Sequence, residues 1–147
     1  KASRLLGQTA SEERRGTITM SAKILFSVAF GGALGASLRY LMMSAIGHVT
    51  HAGFPYATLT INVLGSFALG ALIEIMALSW SPGQEMRSFL VVGLLGAFTT
   101  FSTFSQDVVF LVERGQFISA GGYIGLSVIV SIAGLFAGMM LFRQVLT

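Results

Sequence analysis

Gly93-Leu94-Leu95-Gly96-Ala97-Phe98-Thr99-Thr100-Phe101-Ser102-Thr103-Phe104-Ser105-Gln106-Asp107 lies inside an apolar stretch covering residues 86–112. Such a stretch is long enough to cross a bilayer, which takes about 20 apolar residues. Yet Thr99, Thr100, Ser102, Thr103 and Ser105 crowd into seven consecutive positions within it. Two local readings stand. A continuous helix can tie these hydroxyls to its own carbonyls one turn earlier. A glycine followed by a β-branched pair at mid-span equally suits a helix that breaks there. Bare carbonyls at that depth are tolerated only inside protein or against water, and would then suit a hard cation such as Na+.

Working outward, three more apolar stretches cover residues 23–46, 56–78 and 117–141. They are continuous rather than alternating, which excludes spanning strands. Hydrophobic residues make up 54% of the chain and charged residues 10%, against about 25% charged in a soluble domain. The class is therefore an all-α integral membrane protein with four transmembrane helices. Residues 47–55 form the first loop, with His48 and His51. Ser79-Trp80-Ser81-Pro82-Gly83 ends the second span, Trp80 serving as an interfacial anchor. Glu113-Arg114-Gly115-Gln116 turns the chain into the fourth, which Arg143 leaves.

Composition also removes function classes. The absence of cysteine excludes a disulfide framework, a thiolate metal site and a cysteine nucleophile. Two histidines leave little for zinc, and no acidic cluster serves calcium or magnesium. Nothing resembles a catalytic triad or a phosphate loop, so no enzyme is expected. Of the net charge of +3, residues 1–22 supply two units, through Lys1, Arg4, Arg14 and Arg15 against Glu12 and Glu13. No basic patch for nucleic acid remains. Residues 1–22 read as a polar, disordered tail and 23–147 as the transmembrane domain. The tail lacks the apolar run of a signal peptide. Met20 is a candidate natural start, with residues 1–19 an upstream extension; the other reading is a cytoplasmic tail.

From Lys23 onward, one membrane side holds Lys23, Arg87 and Arg143 and the other Arg39 and Arg114. Three against two is almost no positive-inside bias. Either the tail decides the orientation, or the chain inserts both ways and pairs antiparallel, supplying by dimerisation the inverted symmetry that larger transporters encode internally. Gly31 and Gly35, Ser66 and Gly70, and Gly134 and Gly138 are each four apart. Small pairs at that spacing let helix backbones approach closely.

Polar groups enter the membrane at few other places. Tyr123, Ser127 and Ser131 fall at i, i+4 and i+8, one stripe on a helix. Asn62 either joins helices or donates to something passing, since a carboxamide is not easily satisfied locally. Phe101 and Phe104 share a helix face; they either pack, or present the positive rims of their rings to an anion. Arg39 either snorkels from its helix end or lines a vestibule. Glu74 near its span's end reads as snorkelling or ion-paired. The balance of donors and one cation favours a small anion over a metal or proton substrate.

Three segments carry a resemblance: Gly31-Gly32-Ala33-Leu34-Gly35-Ala36-Ser37-Leu38-Arg39-Tyr40, Thr58-Leu59-Thr60-Ile61-Asn62-Val63-Leu64-Gly65-Ser66, and Gly96 through Phe104. In this order and spacing they resemble the CrcB (Fluc) family of fluoride channels, over nearly all of residues 23–147. The resemblance implies an antiparallel dual-topology homodimer in the cell (inner) membrane, conducting fluoride passively out of the cytoplasm. It implies a broken third helix and a structural Na+ at the dimer centre, held by the backbone carbonyls of Gly96 and Thr99. It makes Phe101 and Phe104 the pore phenylalanines and Asn62 a fluoride donor, with Thr103 in the same pore. It places Tyr123, Ser127 and Ser131 on a polar track, and Arg39 and Asp107 at vestibules. Two departures stand out: Ala97 where the family often has a second glycine, and Asp107 where several members have Glu. The alternative is a small multidrug-resistance transporter, which also has four spans. It needs an acidic residue deep in its first span, and residues 21–46 hold none.

Overall fold

The computed structural model describes the backbone of residues 2–49 and 53–147 and the side chains of residues 21–48 and 53–147. Its helices are α1 (Ala2–Val49), α2 (Tyr56–Leu78), α3 (Gln84–Arg87), α4 (Gly96–Phe98), α5 (Phe101–Glu113) and α6 (Phe117–Leu146), with a π-helical stretch, Ser88–Leu95, between α3 and α4. No strand occurs among the described residues. Among the described residues, four segments are long and apolar enough to cross a membrane: Ser21–His48, Tyr56–Leu78, Gln84–Glu113 and Phe117–Leu146. The backbone of residues 2–22, expected as a disordered tail, is helical and continuous with the rest of α1, while the side chain of Met20, the candidate start, and the loop position of His51 lie outside the described residues. A second expectation is corrected. Gly47 and His48 continue α1 rather than opening the loop, because no proline interrupts helical hydrogen bonding before Pro55.

The spans pair odd with odd and even with even. α1 packs on the π-helical stretch and α4, while α2 packs on α6. Glycine sets both crossings. A Cβ at Gly31 would strike the Phe89 carbonyl oxygen, one at Gly35 the Leu94 carbonyl oxygen, and one at Gly93 would lie 2.8 Å from that of Val28. On the other crossing, Gly70 abuts the carbonyl oxygen of Leu135, Gly138 that of Phe67, and a Cβ at Gly134 would lie 3.2 Å from that of Val63. Val63 against Gly134 and Phe67 against Gly138 advance together along the two helices, so α2 and α6 run parallel. Close backbone approach supplies van der Waals contact where lipid offers no hydrophobic drive.

Parallel packing also brings the ends of α2 and α6 together. Arg143 Nη2 donates to Glu74 Oε1, and Glu74 is 4% exposed. The ion pair read as possible for Glu74 is thus present, with Arg143 at the exit of the fourth span as its partner. Among the described residues, one buried apolar cluster joins Leu111, Ala120 and Tyr123 with Phe54, Leu59, Phe104 and Val108 against them, while Ile61 and Ala71 are buried separately on α2. Large apolar side chains such as Phe26, Ile118 and Ile129 face outward, as a lipid-facing surface requires.

The two classes of glycine predict different outcomes. Gly70→Ala must push α2 from α6, because its Cβ lands on a carbonyl oxygen. Gly32→Ala meets nothing within 4 Å and gains up to about 1 kcal/mol of helix propensity. Thermal unfolding in detergent should show a lowered midpoint for the first and an unchanged or raised one for the second.

Candidate functional site

The third span leaves helical geometry at two residues. α4 ends at Phe98, and Thr99 (φ −77°, ψ 159°) and Thr100 (φ −151°, ψ 118°) are extended before α5 begins. Thr99 still faces backward: its N–H and its Oγ1 each donate to the Leu95 carbonyl at 3.0 Å. Thr100 does not. In a continuous helix its N–H would donate to the Gly96 carbonyl. Here it donates to Asn62 Oδ1 at 2.8 Å, and Asn62 Nδ2 donates back to the Thr100 carbonyl at 3.0 Å. One donor and one acceptor on Thr100 fix which way the carboxamide points.

A second donor is diverted in the same way. The Thr103 N–H, whose helical acceptor would be the Thr99 carbonyl, donates to Thr100 Oγ1 at 3.2 Å and caps α5. The carbonyls of Gly96 and Thr99 therefore both lose their ordinary helical donors. Thr100 Oγ1 donates in turn to Thr103 Oγ1 at 3.0 Å. Its single proton is then used, so Ser102 Oγ, 3.2 Å away, donates to it. The Thr103 proton is left available.

Beside this interruption lies a groove of about 370 Å³. Asn62, Gly96, Thr99, Phe101, Phe104, Ser127 and Ser131 all line it. Ser127 is buried, and its Oγ has no hydrogen-bond partner among the described residues. The Phe101 and Phe104 rings lie 5.4 Å apart, Phe104 and Tyr123 5.3 Å, and Tyr123 meets Phe54 edge-on at 5.5 Å. Phe101 is 78% exposed, so the groove opens sideways past its ring.

Four expected site residues stand outside this groove. Thr103 contacts it through Thr100, and Tyr123 through the Phe104 ring. The Tyr123 hydroxyl donates to Asp107 Oδ2 at 3.1 Å. Asp107 lines a second groove of about 200 Å³ with Gly53, Phe54, Pro55, Phe110, Leu111 and Arg114. Arg39 is partly exposed and lines neither groove.

Sequence reasoning missed the central residue. Thr100 was one hydroxyl among five, yet it is 6% exposed and joins α2 to both sides of the interruption. Its signal was positional: threonine is a favoured N-cap before an apolar helix. Glu, Asp, His and Cys form no group able to hold a metal among the described residues. A cation here would have to rest on backbone oxygen, and the released carbonyls of Gly96 and Thr99 fit a hard cation of that kind.

These features define a multi-pass helical membrane protein with a polar groove beside an interrupted span. Residues 26–139 match the family model described as CrcB-like protein, Camphor Resistance (CrcB). A Fluoride-specific ion channel FluC from Rhodospirillum centenum is 50% identical over 121 residues, 82% of this chain and 96% of that protein. One from Chelativorans sp. is 47% identical over 122 residues, covering 83% and 98%. One from Idiomarina loihiensis is 50% identical over 117 residues, covering 80% and 90%. The chain belongs to the CrcB family.

Because Thr100 Oγ1 caps α5, Thr100→Ala should lower unfolding free energy by about 1 kcal/mol, within a range of about 0.5–2. Thr100→Ser keeps the oxygen and should stay close to wild type. Denaturant unfolding in micelles measures both.

Proposed function

We propose that this protein is a fluoride-specific ion channel that lets cytoplasmic fluoride leave the cell passively. It works as an antiparallel, dual-topology homodimer in the cell membrane, with a non-transported structural Na+ at its centre. The observation that carries this reading is the groove, which gathers Asn62, Phe101, Phe104, Ser127 and Ser131 beside the released carbonyls of Gly96 and Thr99. The identity of the anion is supported by the names of relatives that share half of the aligned residues.

Fluoride is small and strongly hydrated, so a pore must replace its water with donors without holding it too tightly to leave. The groove's chemistry suits this. Asn62 keeps one N–H free after bonding Thr100, and Ser127 keeps its hydroxyl proton; Thr103, behind Thr100 and outside the groove, keeps its own. The phenyl rims add weak positive edges. The first turn of α5 adds unpaired N–H groups and the positive end of a helix dipole. Phe101, being largely exposed, suits a pore wall that a second copy completes. Tyr123 and Asp107 continue the hydroxyl path toward the second groove, and Arg39 would raise local anion concentration at a vestibule.

The interruption separates two chemistries. α4 ends in carbonyls, which suit a cation; α5 begins in N–H groups, which suit an anion. Gly96 and Thr99 would hold Na+ through their backbone oxygens, and the ion would supply fixed positive charge between the two copies. The nearly balanced count of basic residues on the two sides, three against two from Lys23 onward, supports insertion in both orientations. Fluoride entering as HF ionises in the cytoplasm, and a passive channel gives the anion its way out.

Protein reconstituted in liposomes, with fluoride and chloride electrodes, tests the reading. Fluoride efflux with negligible chloride efflux is expected; equal or absent fluxes would overturn it. Phe101→Ile and Phe104→Ile roughly keep bulk and lose the ring edge, so each should cut fluoride flux strongly. If the rings only pack, the cost falls on stability, below about 1.5 kcal/mol, and flux persists.

A further inference from the structure

Asn62 has two accounts, and they differ in what the residue touches. As a pore donor it would act on the anion. The geometry commits most of its hydrogen-bonding capacity elsewhere: Oδ1 accepts from the Thr100 N–H and Nδ2 donates to the Thr100 carbonyl, at 2.8 and 3.0 Å. Both partners belong to a residue 38 positions away, on the interrupted span rather than in the groove's open volume.

The consequence falls on Gly96. Its carbonyl lacks a helical donor because the Thr100 N–H has been taken. Without an acceptor at position 62, that N–H has one near alternative at this depth, the Gly96 carbonyl. Restoring that bond draws Thr100 back toward α4 and occupies the oxygen. We propose that Asn62 is a positioning residue for the cation site, holding Thr100 out of helical register so that the Gly96 carbonyl stays free. The inference rests on the structural Na+ of the preceding section.

Gly65, three positions on along the same face of α2, supports this role. A Cβ there would collide with Thr99 Cγ2 and lie 3.1 Å from the Phe98 ring. Asn62 thus pins Thr100, and Gly65 leaves the space in which Thr99 sits. The two residues form a seat on α2 for the extended pair, and neither needs to touch the cation. Gly65→Ala should displace Thr99 while leaving the carboxamide of Asn62 intact.

The test measures Na+ binding rather than flux. Dimeric protein purified in K+ buffer is titrated with Na+, following the thermal midpoint and, by hydrogen exchange, the Thr100 amide. Asn62→Leu has no hydrogen-bonding atom in its side chain. It should need at least 10-fold more Na+ for half of the midpoint shift. Asn62→Asp keeps the acceptor for the Thr100 N–H but loses the donor to the Thr100 carbonyl, so its Na+ response should fall between wild type and Asn62→Leu, while its charge should repel fluoride from the groove. Gly65→Ala should weaken the Na+ response as Asn62→Leu does. Wild-type Na+ dependence in Asn62→Leu would overturn the inference and leave the cation site standing. If Asn62→Leu yields no folded protein, Gly65→Ala decides, and a wild-type Na+ response there overturns it. Absence of any Na+ response in the wild type would remove the cation site itself, and the inference with it.

Discussion

The carboxamide of Asn62 satisfies both backbone groups of Thr100, and the arrangement around the groove depends on that pairing. In a bilayer core, an unpaired N–H or C=O costs several kcal/mol. Two extended residues in the middle of a span are therefore tolerable only if something else supplies the missing partners. α2 supplies them from the side, through Asn62, and Thr100 supplies one more through its own hydroxyl. What is left unpaired is selective: carbonyl oxygen at the end of α4, donors at the start of α5. A single side chain on a neighbouring helix thereby leaves bare carbonyls and bare N–H groups within one turn of each other.

Such a pairing holds only while α2 and the third span keep their register. The glycine crossings provide that. α1 lies against the π-helical stretch with carbonyl oxygens where Cβ atoms would be, and α2 lies equally close to α6. The Arg143–Glu74 ion pair ties the far ends of α2 and α6. Tyr123, fully buried, fastens α6 to α5 through Asp107 and the Phe104 ring. The groove is what remains between these contacts, and its open side is bounded by the exposed ring of Phe101.

Much of this architecture was legible in the sequence. Long apolar runs mark spans whatever their packing, and glycine pairs four apart mark close crossings because a Cβ is excluded there. The hydroxyl density at 99–105 marked the place where the third span is unusual. The rest depended on contacts distant in the chain. Nothing in Ser-Phe-Leu-Val-Val-Gly-Leu-Leu distinguishes π-helical from α-helical bonding, since both present the same apolar surface. Glu74 could be read as ion-paired, but choosing Arg143, 69 positions away, required the parallel packing of α2 and α6. Thr99, Thr100 and Thr103 are the same letter within five positions. They differ only once Asn62 selects one of them.

The central claim is that Thr99 and Thr100 are held extended at mid-span, with Asn62 as the acceptor of the Thr100 N–H. Solid-state NMR of the labelled protein in lipid bilayers measures this directly through the Cα and Cβ shifts of the two threonines. The account predicts extended-type shifts at both, between helical values at Phe98 and Ser102, with a Thr100 amide correlated to the Asn62 side chain. Helical shifts running unbroken from Leu95 to Ser105 would contradict it.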